Sequence, residues 1–324
     1  MNSILVSFSI IGTGLGAGYL IQHLFKVHAF SSEIDISRVR RFLQKTALLG
    51  LNPVATIGAI WIYQFDDLRV LLIPFAGSLT IIIGGLSGLL IGRSLKLPRY
   101  QMGAFFSVSC MFNTGSIGAL MVFLLLGERG FALVPVFRLF EDVSYYVFAF
   151  PIARTFSAQA SPRTDEPRII RAINDPFVIV ALSSIAVGLF LNISGVPRPQ
   201  IYTTLNRVII PLASLLLLVS IGMAMNFRSF RRYLPVSSLV ATIKFMIAPA
   251  IVVSIAWVLG FGKIDGGLPL GVILILSSTP VAFTALVPPS IYDLDLDLAN
   301  SAWLLTTLLL VLVVPLQVLL MRFL

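Results

Sequence analysis

Apolar runs of about twenty residues alternate with short polar stretches along this 324-residue chain. A helix needs about 20 mainly apolar residues to cross a bilayer. By that measure the pattern predicts ten spans, at 3–22, 46–64, 70–92, 101–126, 131–153, 176–195, 205–226, 235–259, 268–290 and 298–321. The opening run from Met1 to Gln22 has no basic stretch ahead of it and is of spanning length, so it reads as a first helix and not as a removable leader.

Composition agrees with that pattern. Hydrophobic residues make up 57% of the chain and charged ones 11%, against roughly 25% charged in an ordinary soluble domain. The mean hydropathy is +0.97. A soluble fold needs a charged skin, and this chain lacks the residues to build one. The formal net charge is +9, but the basic residues stand in short runs between apolar segments. Such runs are orientation signals, not a nucleic-acid stripe. One set of loops carries Lys26, Arg38, Arg40, Arg41, Lys45, Arg93, Lys96, Arg99, Arg154, Arg163, Arg168, Arg171, Arg228, Arg231 and Arg232. The other side has Arg69, Arg129, Arg198, Arg207, Lys263 and Arg322. The bias predicts a multi-pass protein of the cell membrane with both termini outside the cytoplasm. Cys110 is the only cysteine, so no intrachain disulfide or Cys-based zinc site is expected, and His23 and His28 are too few for a metal cluster.

The most polar linker runs from Arg154 to Arg171 and divides the chain nearly in half. Five spans precede it and five follow. An odd number per half forces the halves into opposite orientations, the arrangement of an inverted repeat. The expected organisation is therefore a first repeat at 1–157, a polar cytoplasmic linker at 158–173 and a second repeat at 174–324. The fold class is an all-α membrane protein of ten transmembrane helices.

Two spans carry interruptions. The fourth places Asn113, Thr114, Gly115, Ser116 and Gly118 near its middle, and these are poor helix-interior residues. The ninth carries Ser277, Ser278 and Thr279 before Pro280, which removes a backbone donor and clashes with the carbonyl four residues back. Both breaks fall in the fourth span of their half. Unpaired backbone is too costly in lipid, so the opened peptides must face protein or a wet cavity. Two broken helices that meet bring half-helix ends together, whose N-termini attract anions and whose free carbonyls attract cations or donors. Asn113, Thr114, Gly115, Ser278, Thr279 and Pro280 are thus the candidate binding residues.

Arg138, Glu141 and Asp142 stand at i, i+3 and i+4 in the fifth span, on one helix face. Intramembrane ionisable groups pair with one another or mark a pathway. Either they neutralise locally, or Glu141 or Asp142 takes up a proton or cation that couples transport, with Lys244 of the eighth span a further partner. Asn52-Pro53 and Pro211 read as bends. Gly12, Gly14, Gly16 and Gly18, with Gly84, Gly88 and Gly92, have small-residue spacing for close helix packing. The chain has no Walker A loop, HExxH pair or Gly-x-Ser-x-Gly elbow, so no enzyme is expected and no cofactor is implied.

Phe112-Asn-Thr-Gly-Ser-Ile-Gly resembles the fourth-helix crossover motif of the auxin efflux carrier family, bacterial permeases and plant PIN carriers. Leu126-Gly-Glu-Arg-Gly, Asn174-Asp-Pro-Phe through Gly195-Val-Pro, Ile210-Pro-Leu-Ala through Ile221-Gly-Met, Lys244 with Pro249, and Thr279-Pro280 with Ser290-Ile-Tyr-Asp-Leu-Asp are similar to later family segments in the same order. The resemblance implies crossing broken helices four and nine. It implies a scaffold of helices one, two, six and seven, often dimeric, and a moving domain of helices three to five and eight to ten. It implies a secondary carrier for a small organic anion, with Asn113 the crossover asparagine and Pro280 the crossover proline. The second half departs from the pattern, because no asparagine stands beside Pro280. Other readings of the chain are a sodium-coupled bile-acid-type symporter and a membrane solute sensor that moves nothing. The coupling ion, proton or sodium, is left open.

Overall fold

The computed structural model describes residues 2–27, 36–65, 67–157, 176–225, 227 and 229–322. The polar linker expected at 158–173 lies outside them. Helices account for the architecture, and the described residues form no sheet. The long elements are α1 (Asn2–Val27), α2 (Ile36–Ile62), α3 (Leu68–Ser94), α4 (Arg99–Cys110), α5 (Thr114–Arg154), α6 (Pro176–Ile193), α7 (Ile201–Gly222), α8 (Phe230–Val258), α9 (Leu268–Ser277), α10 (Leu296–Leu308) and α11 (Leu310–Leu320). Among the described residues, six helices are long and apolar enough to cross a membrane, or seven if the bent pair α10 and α11 counts as one span.

Element boundaries depart from the hydropathy pattern in three places. Helix α2 begins ten residues before the expected span, because Ile36 to Lys45 is a basic amphipathic helix that runs straight into the apolar segment. The run α5 joins the second part of the span expected at 101–126 to the whole of the span expected at 131–153, divided at Gly127, whose φ of 72° lies in the left-handed region where a side chain is strained. The segment expected as one span at 298–321 is bent by 50° between α10 and α11.

By packing, the chain divides into two units, each drawing on both halves of the sequence. The first comprises Met1–Phe65, Gly115–Pro135 and Ile179–Met225. Here α1 lies against α7 closely enough that a Cβ on Gly18 would sit 2.1 Å from the Val219 carbonyl oxygen, and one on Gly14 would sit 2.7 Å from Leu218 Cβ. Gly12 and Gly16 face open space, so two of these four glycines serve the contact. The same unit holds a polar cluster that the sequence reading did not single out. Arg198 forms an ion pair with Glu128 and donates to the Gly58 carbonyl at 2.9 Å and to Thr203 Oγ1 at 2.8 Å. Asn206 Nδ2 donates to the same Glu128 carboxylate at 2.5 Å. Asn192 Nδ2 reaches the carbonyls of Ile60, Trp61 and Tyr63 at 3.0, 2.9 and 2.6 Å and so closes the end of α2.

The second unit comprises Asp66–Thr114, Val136–Val178 and Asn226–Leu324. Helix α3 packs on α4 through Gly84, Gly88 and Gly92. A Cβ at these positions would lie 2.4 Å from the Ser109 carbonyl oxygen, 2.7 Å from Ser109 Cβ and 2.5 Å from Met102 Sδ. Every residue from Met102 to Cys110 in α4 and from Pro269 to Ser277 in α9 is buried. A helix buried all round is enclosed by protein. The stretches that lead into the two breaks are therefore enclosed by protein, as the cost of opened backbone in lipid requires.

Candidate functional site

Helix α4 ends at Cys110 and α9 at Ser277, and beyond each the chain is extended for a few residues. These two extended pieces meet. Phe112 and Val281 form an antiparallel bridge. Asn113 N–H donates to the Pro280 carbonyl at 2.9 Å, and Ala282 N–H donates to the Met111 carbonyl at 3.0 Å. Each break thus supplies hydrogen bonds that the other lost. Helical turns resume directly afterwards, at Thr114–Gly118 and at Phe283–Leu286, so each crossing strand leads into a half-helix N-terminus. Pro280 explains its own place here. Its missing N–H would break a helix, whereas an extended strand needs only its carbonyl.

Neighbouring spans satisfy what remains. Tyr145 of α5 accepts from Phe112 N–H at 3.2 Å. Thr306 of α10 accepts from Val281 N–H at 3.1 Å. Lys244 of α8 is fully buried, donates to the Met111 carbonyl at 2.7 Å, and holds its ammonium 3.2 Å from the centre of the Phe112 ring. A carbonyl dipole and an aromatic face replace water around this cation.

The predicted residues divide by their roles. Asn113 and Pro280 are joined directly across the bridge. Thr114 is buried and donates its hydroxyl to Glu141 Oε2 at 2.5 Å. Glu141 also accepts from Arg138 at 3.1 and 3.3 Å, so the local ion pair expected in the fifth span is present and reaches the first break through Thr114. Asp142 is half-buried and adds its charge beside Arg138. Gly115 lies in the helical turn just after the crossing. Lys244, named as a further partner for the acids of the fifth span, bonds the Met111 carbonyl and also interacts electrostatically with Glu141.

Ser278 and Thr279 turn back on their own helix. Ser278 donates to the Leu274 carbonyl and Thr279 to the Leu276 carbonyl at 3.1 Å, where they cap the last turn of α9. Gln317 of α11 donates to Ser278 Oγ at 2.6 Å and to the Ser278 carbonyl at 3.3 Å. Sequence reasoning missed Tyr145, Thr306 and Gln317. Tyr145 could have been found, since it lies four residues after Glu141 on the same helix face. Thr306 and Gln317 were visible only as polar residues in an apolar segment.

No family model matches the chain. It is 24% identical over 298 residues to an uncharacterized transporter of Methanothermobacter thermautotrophicus, covering 92% of this chain and 93% of that protein. It is also 25% identical over 254 residues to an uncharacterized transporter of Methanocaldococcus jannaschii, covering 77% of this chain and 78% of the other.

Proposed function

We propose that this chain is a secondary membrane transporter that moves a small organic anion and binds it at the crossing of α4 and α9. The observation that carries the reading is the hydrogen-bonded meeting of two helix breaks inside one unit, at Asn113–Pro280 and Met111–Ala282. Backbone opened within an apolar interior, bonded by Lys244 and tied through Thr114 to the Glu141–Arg138 pair, is expensive to build, and intramembrane charge of this kind marks pathways. The several long apolar helices and the similarity to two proteins named as transporters support the same class. In this reading the chain makes ten spans in two inverted halves, with both termini outside the cytoplasm. Binding at the crossing is followed by an elevator-like motion, and the chain pairs through its scaffold helices. Glu141 takes up the coupling proton, because its carboxylate is the group that links an ionisable side chain to the break through Thr114.

The test is solute flux in proteoliposomes after a thermal-shift screen of small carboxylic acids has found a ligand. Asn113→Ala and Pro280→Ala should each lower flux at least tenfold while the protein still inserts. Unchanged flux in both would remove the crossing as the site. Saturable binding without any flux would make the protein a sensor, and uptake that requires sodium would replace the proton by that ion.

A further inference from the structure

The first break carries an asparagine at its crossing, and the second has Ser278-Thr279-Pro280 in that place. A carboxamide nevertheless stands at the second break, delivered from α11. Gln317 is 2% exposed, and its Nε2 donates to both the hydroxyl and the carbonyl oxygen of Ser278. A carbonyl oxygen only accepts, which fixes the amide with its NH2 group toward Ser278 and its Oε1 directed away. No donor among the described residues reaches that Oε1. Ser278 has no hydroxyl proton left to offer, since it gives that proton to Leu274 and accepts from Gln317. An acceptor buried without a donor is costly, and natural interiors keep such groups few.

We propose that Gln317 Oε1 is a solute-binding acceptor of the second break, taking an N–H or O–H on the solute, and that Ser278 aims Gln317 and does not itself touch the solute. This rests on the crossing being the binding site. It adds a chemical requirement that the resemblance and the paired breaks leave open, namely a hydrogen-bond donor near the solute carboxylate. A site built to pair such a group discriminates strongly against the analogue that lacks it.

The experiment uses the purified full-length chain in detergent and follows thermal unfolding with propionate, lactate and alanine, which differ at one carbon by hydrogen, hydroxyl or amino group. Lactate or alanine should protect the unsubstituted protein at concentrations at least tenfold below propionate. Gln317→Leu and the near-isosteric Gln317→Met should lose that preference, and Ser278→Ala, which removes the nearer of the two acceptors that aim the amide, should weaken it. If both replacements prevent folding, Gln317→Glu should preserve the preference at acidic pH, where its protonated carboxyl offers a donor to Ser278 and keeps an acceptor oxygen. Equal protection by all three acids, or a preference unchanged in Gln317→Leu or Gln317→Met, overturns the role of Gln317 and leaves the crossing site standing. No protection by any acid overturns the anion-binding reading and this inference with it.

Discussion

At the scale of single residues, the chemistry is concentrated where backbone has been opened. Thr114 joins an acid to the first break through a 2.5 Å hydrogen bond. Bonds to a charged group are worth about 1.5–3 kcal/mol, so the charge state of Glu141 and the seating of Thr114 are energetically coupled. If Glu141 carries the coupling proton, Glu141→Gln should abolish the pH dependence of uptake, and Thr114→Val should shift its midpoint. Flux followed across the pH range of uptake decides this, and an unaltered profile in Glu141→Gln excludes the residue. Lys244 makes a separate contribution. Its ammonium satisfies the Met111 carbonyl, so Lys244→Met should weaken the pairing of that acceptor and cost about 1–3 kcal/mol. Thermal unfolding would register the loss as a lowered midpoint.

Elements are placed by how closely backbones approach. Glycine to alanine in a helix ordinarily gains up to about 1 kcal/mol. That sign should reverse at Gly18 and Gly84, where the added carbon would lie 2.1 Å and 2.4 Å from a carbonyl oxygen of the neighbouring helix. Overpacking of this kind costs roughly 1–3 kcal/mol. Gly12→Ala, with nothing within 4 Å, is the matched control and should be neutral or stabilising. Equal midpoints for all three variants would remove the close contacts of α1 with α7 and of α3 with α4. The spacing of these glycines was legible in the sequence. Which of Gly12, Gly14, Gly16 and Gly18 faced a neighbour was not, because it depends on the rotation of α1 against α7.

For the molecule as a whole, the two units are held by different means. In the second unit, α4 from Met102 to Cys110 and α9 from Pro269 to Ser277 are buried on every side. The first contains the Arg198–Glu128 ion pair, whose partners come from parts of the chain 70 residues apart. Removing one member of this half-buried pair leaves the other without its charged partner, at about 1–3 kcal/mol. Arg198→Ala should therefore destabilise strongly, and adding Glu128→Gln should recover part of the loss. A double variant no better than the single one would show that the pair contributes through packing alone. The orientation of the chain also belongs to this scale. Single cysteines placed at Lys263 and at Leu95 in a Cys110→Ser background should label from opposite sides of intact vesicles.

What the sequence determined by itself was the solvent of this protein and the places where its helices fail. Twenty-residue apolar runs leave a bilayer as the medium, and Asn113, Thr114, Gly115 and Pro280 weaken a helix through properties of the residues alone. Tertiary structure decided what the broken ends bond to. The hydrogen bonds Asn113–Pro280 and Met111–Ala282, and the side chains of Lys244, Tyr145, Thr306 and Gln317 that serve the opened peptides, join positions up to 171 residues apart. Periodicity carries no information over such separations, and only the packed chain selects which unpaired carbonyl meets which donor.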